Sequence, residues 1–324
     1  MSMIPWMVMA AGSALGGYFN PIAQPGEPGY TSVPSHHFRI QFENDSACDE
    51  DMNYTHGTRL DYVKDLDAHH SYGASLTQNI YTPEHHSTHA NPGEHPYAGY
   101  LAVGAAYLYR SETFGTSVEF QIGTSGKASL AKESQNNLHS ACGMATWDGW
   151  HDQVPSELMM QLSSRQDYRL SFLETGSKSG FETDGLLFTR EDVGTMLLSG
   201  GAGFSFRIGH NLPDNMQVVG NNPADFGVGM IRRSDYDPTA LSYFLLAQTS
   251  VHYVARDFSV DGGVFHHFRY KTCSRKPWQA QAKLGLGVSY QGMDYFAGAV
   301  LHSRTYRTQD KNSMYGTFSV SWNW

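Results

Sequence analysis

The chain has 324 residues, 40% hydrophobic and 13% aromatic, with 33 glycines, three cysteines and a formal net charge of −9. Acidic balance without basic runs argues against nucleic acid as partner, three cysteines make no disulfide framework, and a mean hydropathy of −0.42 with no apolar run of about 20 residues excludes a helical membrane protein. A transmembrane β-barrel hides its apolar residues in alternation and shows such an average, as does a soluble all-β protein.

Ile4 to Leu15 is a short apolar run followed by small residues, too short to span a bilayer and without a basic flank. It reads as a signal-peptide core, so residues 1–24 are assigned to a leader. Pro25, Pro28 and Pro34 make 25–35 an extended approach to the first strand, and 36–324 is the barrel.

Strands are expected at 36–45, 55–64, 71–80, 98–109, 115–123, 156–164, 167–175, 194–208, 242–256, 279–290, 294–303 and 314–324, with long loops at 209–240 and 257–278. Val118, Phe120 and Ile122 alternate with Glu119, Gln121 and Gly123, and Leu284, Leu286 and Val288 with Gly285, Gly287 and Ser289. About twelve strands is an even number, as single-chain bacterial barrels prefer.

At the end of the first strand, Phe42-Glu43-Asn44-Asp45 leads into an acidic turn (Asp49, Glu50, Asp51), and Tyr54-Thr55-His56-Gly57 opens the second. Carboxylate, amide and hydroxyl oxygens at one corner suit a hard cation such as calcium. An acidic, solvated hairpin is the plain alternative, and no EF-hand spacing is present.

Lys127 to Cys142 lacks proline and glycine, carries Leu130, Ser134 and Leu138 at four-residue spacing, and reads as a short helix in a loop. Gln135 and His139 share one face, a turn apart. An imidazole can take a proton from water, and an amide beside it can orient the ring or donate to an oxyanion. A solvent-exposed histidine on a loop helix is the alternative.

The last strand, Tyr315 to Trp324, puts Phe318, Val320, Trp322 and Trp324 on one face and Thr317, Ser319, Ser321 and Asn323 on the other. Ending on an indole is ordinary where an apolar face meets lipid and aromatics form an interfacial girdle. The expectation is a closed antiparallel barrel in a bacterial outer membrane, whose characteristic lipid is lipopolysaccharide.

The segments F-E-N-D (42–45), Y-T-H-G (54–57), Q-N-I-Y-T-P (78–83), P-Y-A-G (96–99), Q-N-N-L-H (135–139), G-W-H-D-Q (149–153) and R-T-Y (304–306) occur in this order. Together they resemble the outer-membrane lipid A deacylase family, twelve-stranded barrels that remove the 3'-linked acyloxyacyl chains of lipid A with a calcium ion. The resemblance runs from about residue 37 to the C-terminus. It implies that Asn44 and Asp45 belong to the metal site, that Thr55 is the family's threonine at the second strand, and that Gln135 and His139 are its helical glutamine and catalytic histidine.

The mechanism implied is attack by a water that His139 deprotonates, with no serine nucleophile; no G-x-S-x-G elbow is present. The partners implied are lipid A and outer-membrane lipids, met by a monomer. Two departures stand out: Ala145 lies where the pattern has an acidic residue, with Glu133, Asp148 or Asp152 as substitutes, and Thr88 lies where it has a lysine, among His85, His86 and His89. A barrel acting on another lipid, or keeping only a structural or binding role, is therefore the alternative, and a pore a distant third. If the Asp45 and His139 regions meet, Cys48 and Cys142, each three residues beyond, would also lie close enough for a disulfide.

Overall fold

The computed structural model describes residues 36–48, 52–67, 69–85, 88–89, 91–141, 143–176, 180–213, 220–226, 236–237, 239–266 and 273–324. The expected leader and extended segment, and one half of the Cys48–Cys142 pairing, lie outside the described residues.

Twelve strands form a closed antiparallel barrel: β1 (His36–Asn44), β2 (Asn53–Asp65), β3 (His70–Thr82), β4 (Ala98–Arg110), β5 (Phe114–Ser125), β6 (Leu158–Arg169), β7 (Glu182–Gly194), β8 (Leu197–His210), β9 (Ser242–Asp257), β10 (Trp278–Tyr290), β11 (Met293–His302) and β12 (Ser313–Asn323). Each strand pairs with its sequence neighbours, and β1 closes on β12 through Phe38↔Trp322, Ile40↔Val320 and Phe42↔Phe318. The terminal aromatics thus complete the seam, where closure leaves no strand edge. No helix among the described residues is long and apolar enough to cross a membrane.

Burial is inside out. On β5, Val118, Phe120 and Ile122 are 39%, 48% and 43% exposed while Glu119 and Gln121 are at most 1% exposed. A protein folded for water would reverse this; apolar residues facing outward are matched to lipid. Inside, Arg59 bridges Asp61 (2.7 Å) and Glu119 (3.1 Å), Arg190 bridges Asp192 (3.1 Å) and Asp225 (3.3 Å), and Arg207 meets Asp184 (2.6 Å). Asp225 comes from the β8–β9 connection, which enters the lumen and sets Phe226 4.8 Å from the Arg59 guanidinium. The middle of the lumen is therefore occupied, which removes the basis for a pore.

Two expected strands need correction. A single strand, β6, runs through the break placed between 164 and 167, and β7 lies in a stretch left without a strand. On β7, Glu182, Asp184, Arg190 and Asp192 face the lumen's charges while Thr183, Thr189 and Glu191 occupy the other face, so polarity does not alternate. The count of twelve survives because the two errors cancel. The long connections at 211–241 and 258–277 fall where expected.

Outward tyrosines Tyr62, Tyr72, Tyr107, Tyr168, Tyr243 and Tyr290 all lie close to the strand ends at the barrel end where β1 starts and β12 finishes. They form a girdle at that interface. The β1–β2 hairpin, the β3–β4 connection and the helical β5–β6 connection all lie at the opposite end.

Candidate active site

The first hairpin corner is held by its own polar groups. Asn44 ends β1, where its Oδ1 accepts from Ser46 N (3.0 Å) and its Nδ2 donates to Thr55 O (3.1 Å). Asp45 starts a turn of 3₁₀ helix and is 2% exposed, with Oδ2 accepting from Met52 N at 2.6 Å. Across the hairpin, β2 pairs Tyr54 with Tyr81 and then His56 with Ile80, so Thr55 is the extra residue of a β-bulge. Bulges re-aim side chains. Tyr54 stays in the lumen, donating to Glu43 Oε2 (2.7 Å), while Thr55 Oγ1 meets Thr82 Oγ1 at 2.5 Å. Thr82 and Ile80 alternate with the lumen-facing Tyr81 and Asn79, so this corner opens on the outer face of the wall.

The connection after β5 returns to that same face. Gly126, at φ 62°, turns the chain into a 3₁₀ turn, and Leu130, at φ 58°, separates it from helix α1 (Ala131–Ala141). The helix therefore starts four residues later than its sequence suggests. It buries Ala131, Gln135 and His139 and exposes Leu138, and Leu130 just before it is exposed too, so the polar pair, not the leucines, lies against the protein. Ala131 packs with Ile80, Tyr97, Trp147 and Trp150, and a Cβ on Gly99 of β4 would lie 2.2 Å from its Cβ. Only glycine at 99 admits so close an approach. Gln78 Nε2 donates to Ser129 O at 2.7 Å and ties the helix entrance to the wall.

His139 is 6% exposed. Its Nδ1 lies 2.7 Å from Ala145 O and 2.7 Å from Trp147 Nε1. One nitrogen can donate to the carbonyl or accept from the indole, not both; the first leaves a lone pair on Nε2, which has no protein partner among the described residues. Both amide atoms of the buried Gln135 also lack a hydrogen-bond partner among the described residues. Leaving such groups unsatisfied costs about 1–3 kcal/mol each, which fits a side chain kept for a ligand.

The structure thus brings the two constellations onto one outward patch: Asn44 bonds Thr55, Thr55 meets Thr82, Ile80 two residues away belongs to the same packed cluster as Trp147, and Trp147 reaches His139. Thr82, Trp147 and Trp150 were given no role from sequence, although they lie within Q-N-I-Y-T-P or next to and within G-W-H-D-Q. The alanine at 145 offers no side-chain ligand; its backbone carbonyl faces the His139 ring instead. Of the proposed substitutes, Glu133 and Asp148 are exposed, and Asp152 turns to His89 and His151. His85 pairs with Glu94 at 2.7 Å, a hydrogen bond that raises its pKa, and His86 lies outside the described residues. A cavity of about 170 Å³ opens in the lumen, lined by Glu43, Tyr54, His95, Arg190, His252 and Phe258 among others, but none of the five predicted site residues lines it.

The family model for "Outer membrane protein LpxR" matches residues 7–324. The chain belongs to the LpxR family. It is accordingly an outer-membrane protein, in agreement with the apolar residues on the outside of the barrel. The structure of LpxR from Salmonella typhimurium superposes with a TM-score of 0.77 at 16% identity, over 89% of this chain and 100% of that one. The β domain of the Bordetella autotransporter BrkA aligns over 90% of this chain and 99% of its own at 8% identity, TM-score 0.45. The KdgM porin aligns over 89% and 99% at 8% identity, TM-score 0.35. No curated protein sequence matches.

The oxygens of Asn44, Asp45, Thr55 and Thr82, with no nitrogen or sulfur ligand among them, fit the donor chemistry of a hard cation such as calcium.

Proposed function

We propose that this LpxR-family barrel is a lipid A deacylase, hydrolysing the ester that links the 3'-acyloxyacyl chain to the sugar. The observation that carries the reading is the buried Gln135–His139 pair pressed onto the outer wall beside Asn44, Thr55 and Thr82, where a lipid reaches it sideways from the membrane.

With its Nδ1–H donated to Ala145 O, His139 presents the Nε2 lone pair to a water. Nε2 takes the water's proton as its oxygen adds to the ester carbonyl carbon. Gln135 Nε2, otherwise unsatisfied, donates to the oxyanion. The tetrahedral centre then collapses, and the departing sugar oxygen takes the proton back from His139. A calcium ion held by Asn44 and Asp45 oxygens would supply Lewis-acid polarisation of the ester carbonyl.

One observation favours a second reading, a family barrel with altered substrate or lost hydrolysis: Ala145 and Thr88 replace the acidic and basic side chains that the family resemblance implies. Mass spectrometry of lipid A from cells with and without the protein separates the two. Deacylation predicts a species lighter by one 3'-acyloxyacyl group, and an unchanged spectrum sinks the hydrolase reading.

A further inference from the structure

A third cluster lies between the β3–β4 and α1–β6 connections. His89 Nδ1 is 3.2 Å from His151 Nε2 and 3.6 Å from Asp152 Oδ2, and His151 Nε2 is 3.3 Å from Asp152 Oδ1. We propose that His89, His151 and Asp152 form a transition-metal site of the zinc class that clamps these two connections together.

Three features carry this. Zinc bonds of about 2.0–2.1 Å in a tetrahedron place ligand atoms about 3.3 Å apart, and here the two imidazole nitrogens lie 3.2 Å apart and each lies within 3.6 Å of one Asp152 carboxylate oxygen, Oδ2 for His89 and Oδ1 for His151, near that edge length. Two imidazoles with one carboxylate are chosen by zinc and its neighbours, not by calcium or magnesium, which take oxygens. His151 Nδ1 lies 3.1 Å from Asp148 O, and only as a donor can it bond that carbonyl. That bond fixes the tautomer with the lone pair on Nε2, the outer-shell arrangement that metal-bound histidines carry.

Access and anchorage are both present. The His89 and His151 side chains are 77% and 52% exposed, whereas that of Asp152 is 5% exposed. An ion can enter from solvent and seat on a fixed carboxylate, with water completing the tetrahedron. The clamp would sit beside Trp150, whose ring packs with Tyr97, Ala131 and Trp147 behind α1. The site is chemically distinct from the oxygen-lined corner at Asn44 and Asp45, and its occupancy does not depend on whether the barrel hydrolyses lipid.

The test uses the full chain without a polyhistidine tag, folded in detergent micelles and titrated with Co²⁺ as a spectroscopic probe, then with Zn²⁺. Wild type is expected to bind one Co²⁺ per chain with a visible d–d band that Zn²⁺ bleaches and millimolar Ca²⁺ does not. His89→Ala and His151→Ala, at exposed positions that leave the barrel intact on unboiled gels, should each weaken binding at least tenfold. His85→Ala and His139→Ala should bind as wild type. Absence of the band in wild type, wild-type affinity in either cluster variant, or loss of binding in His139→Ala overturns the proposal.

Discussion

Gly99 offers the sharpest test of how the helix is placed. A Cβ there would lie 2.2 Å from Ala131 Cβ and 2.8 Å from Ser129 Oγ, against a carbon–carbon contact of about 3.5–4.0 Å. In Gly99→Ala, α1 must therefore retreat by more than about 1 Å, since the strand on its other side is fixed by two ladders. A misplacement of that size costs about a hundredfold in rate, or about 2.7 kcal/mol of barrier. The assay is release of free acyl chain from lipid A in mixed micelles, with heat-modifiability on gels confirming that the barrel is folded. Adding Ala131→Gly removes the tightest contact and leaves only the rotatable Ser129 hydroxyl, so the double variant should recover most of the loss. Full activity in folded Gly99→Ala, or no recovery in the double variant, refutes the claim that helix-to-wall spacing sets the reacting geometry.

Trp147→Phe deletes the indole donor that competes for His139 Nδ1; activity should stay within about threefold of wild type by the same lipid A assay, because the productive tautomer is the one bonded to Ala145 O, and a hundredfold loss would favour the other tautomer. His95, 2% exposed between Tyr81 and Tyr306, has its pKa pushed down to about 4 by burial. The unfolded chain protonates this group below about pH 6.5 while the folded one refuses the proton until about 4, so stability is full above 6.5 and falls by about 3 kcal/mol on the way down to 4. Urea midpoints in micelles should drop over that window in wild type and less in His95→Gln; equal drops contradict the assignment. Chelation with EGTA should abolish deacylation and calcium should restore it, whereas turnover unaffected by EGTA excludes a calcium requirement.

Much of the barrel was legible because lipid and lumen impose opposite demands on alternate residues: Phe120 against Glu119 and Leu286 against Gly287 read as strands without any structure. The signal failed at β7, where Thr183, Thr189 and Glu191 occupy the outward face and Glu182, Asp184 and Arg190 line the lumen, so both faces are polar. The four-residue spacing of Gln135 and His139 gave their common face, but not that this face, and not Leu138, is the buried one. A bulge that turns Thr55 toward Thr82 depends on the pairing register between β2 and β3, which one strand's sequence does not encode. The contacts of Ala145 O and Trp147 with the His139 ring were equally hidden, since a backbone carbonyl carries no sequence signature.

The proposed hydrolysis depends on one imidazole on the outer wall that activates water for ester cleavage. It is tested most directly by following acyl-chain release from purified lipid A with wild-type and His139→Ala barrels side by side. General-base loss predicts release slowed by about 10²–10⁴-fold in the variant, with both proteins equally folded; equal rates in the two would contradict it.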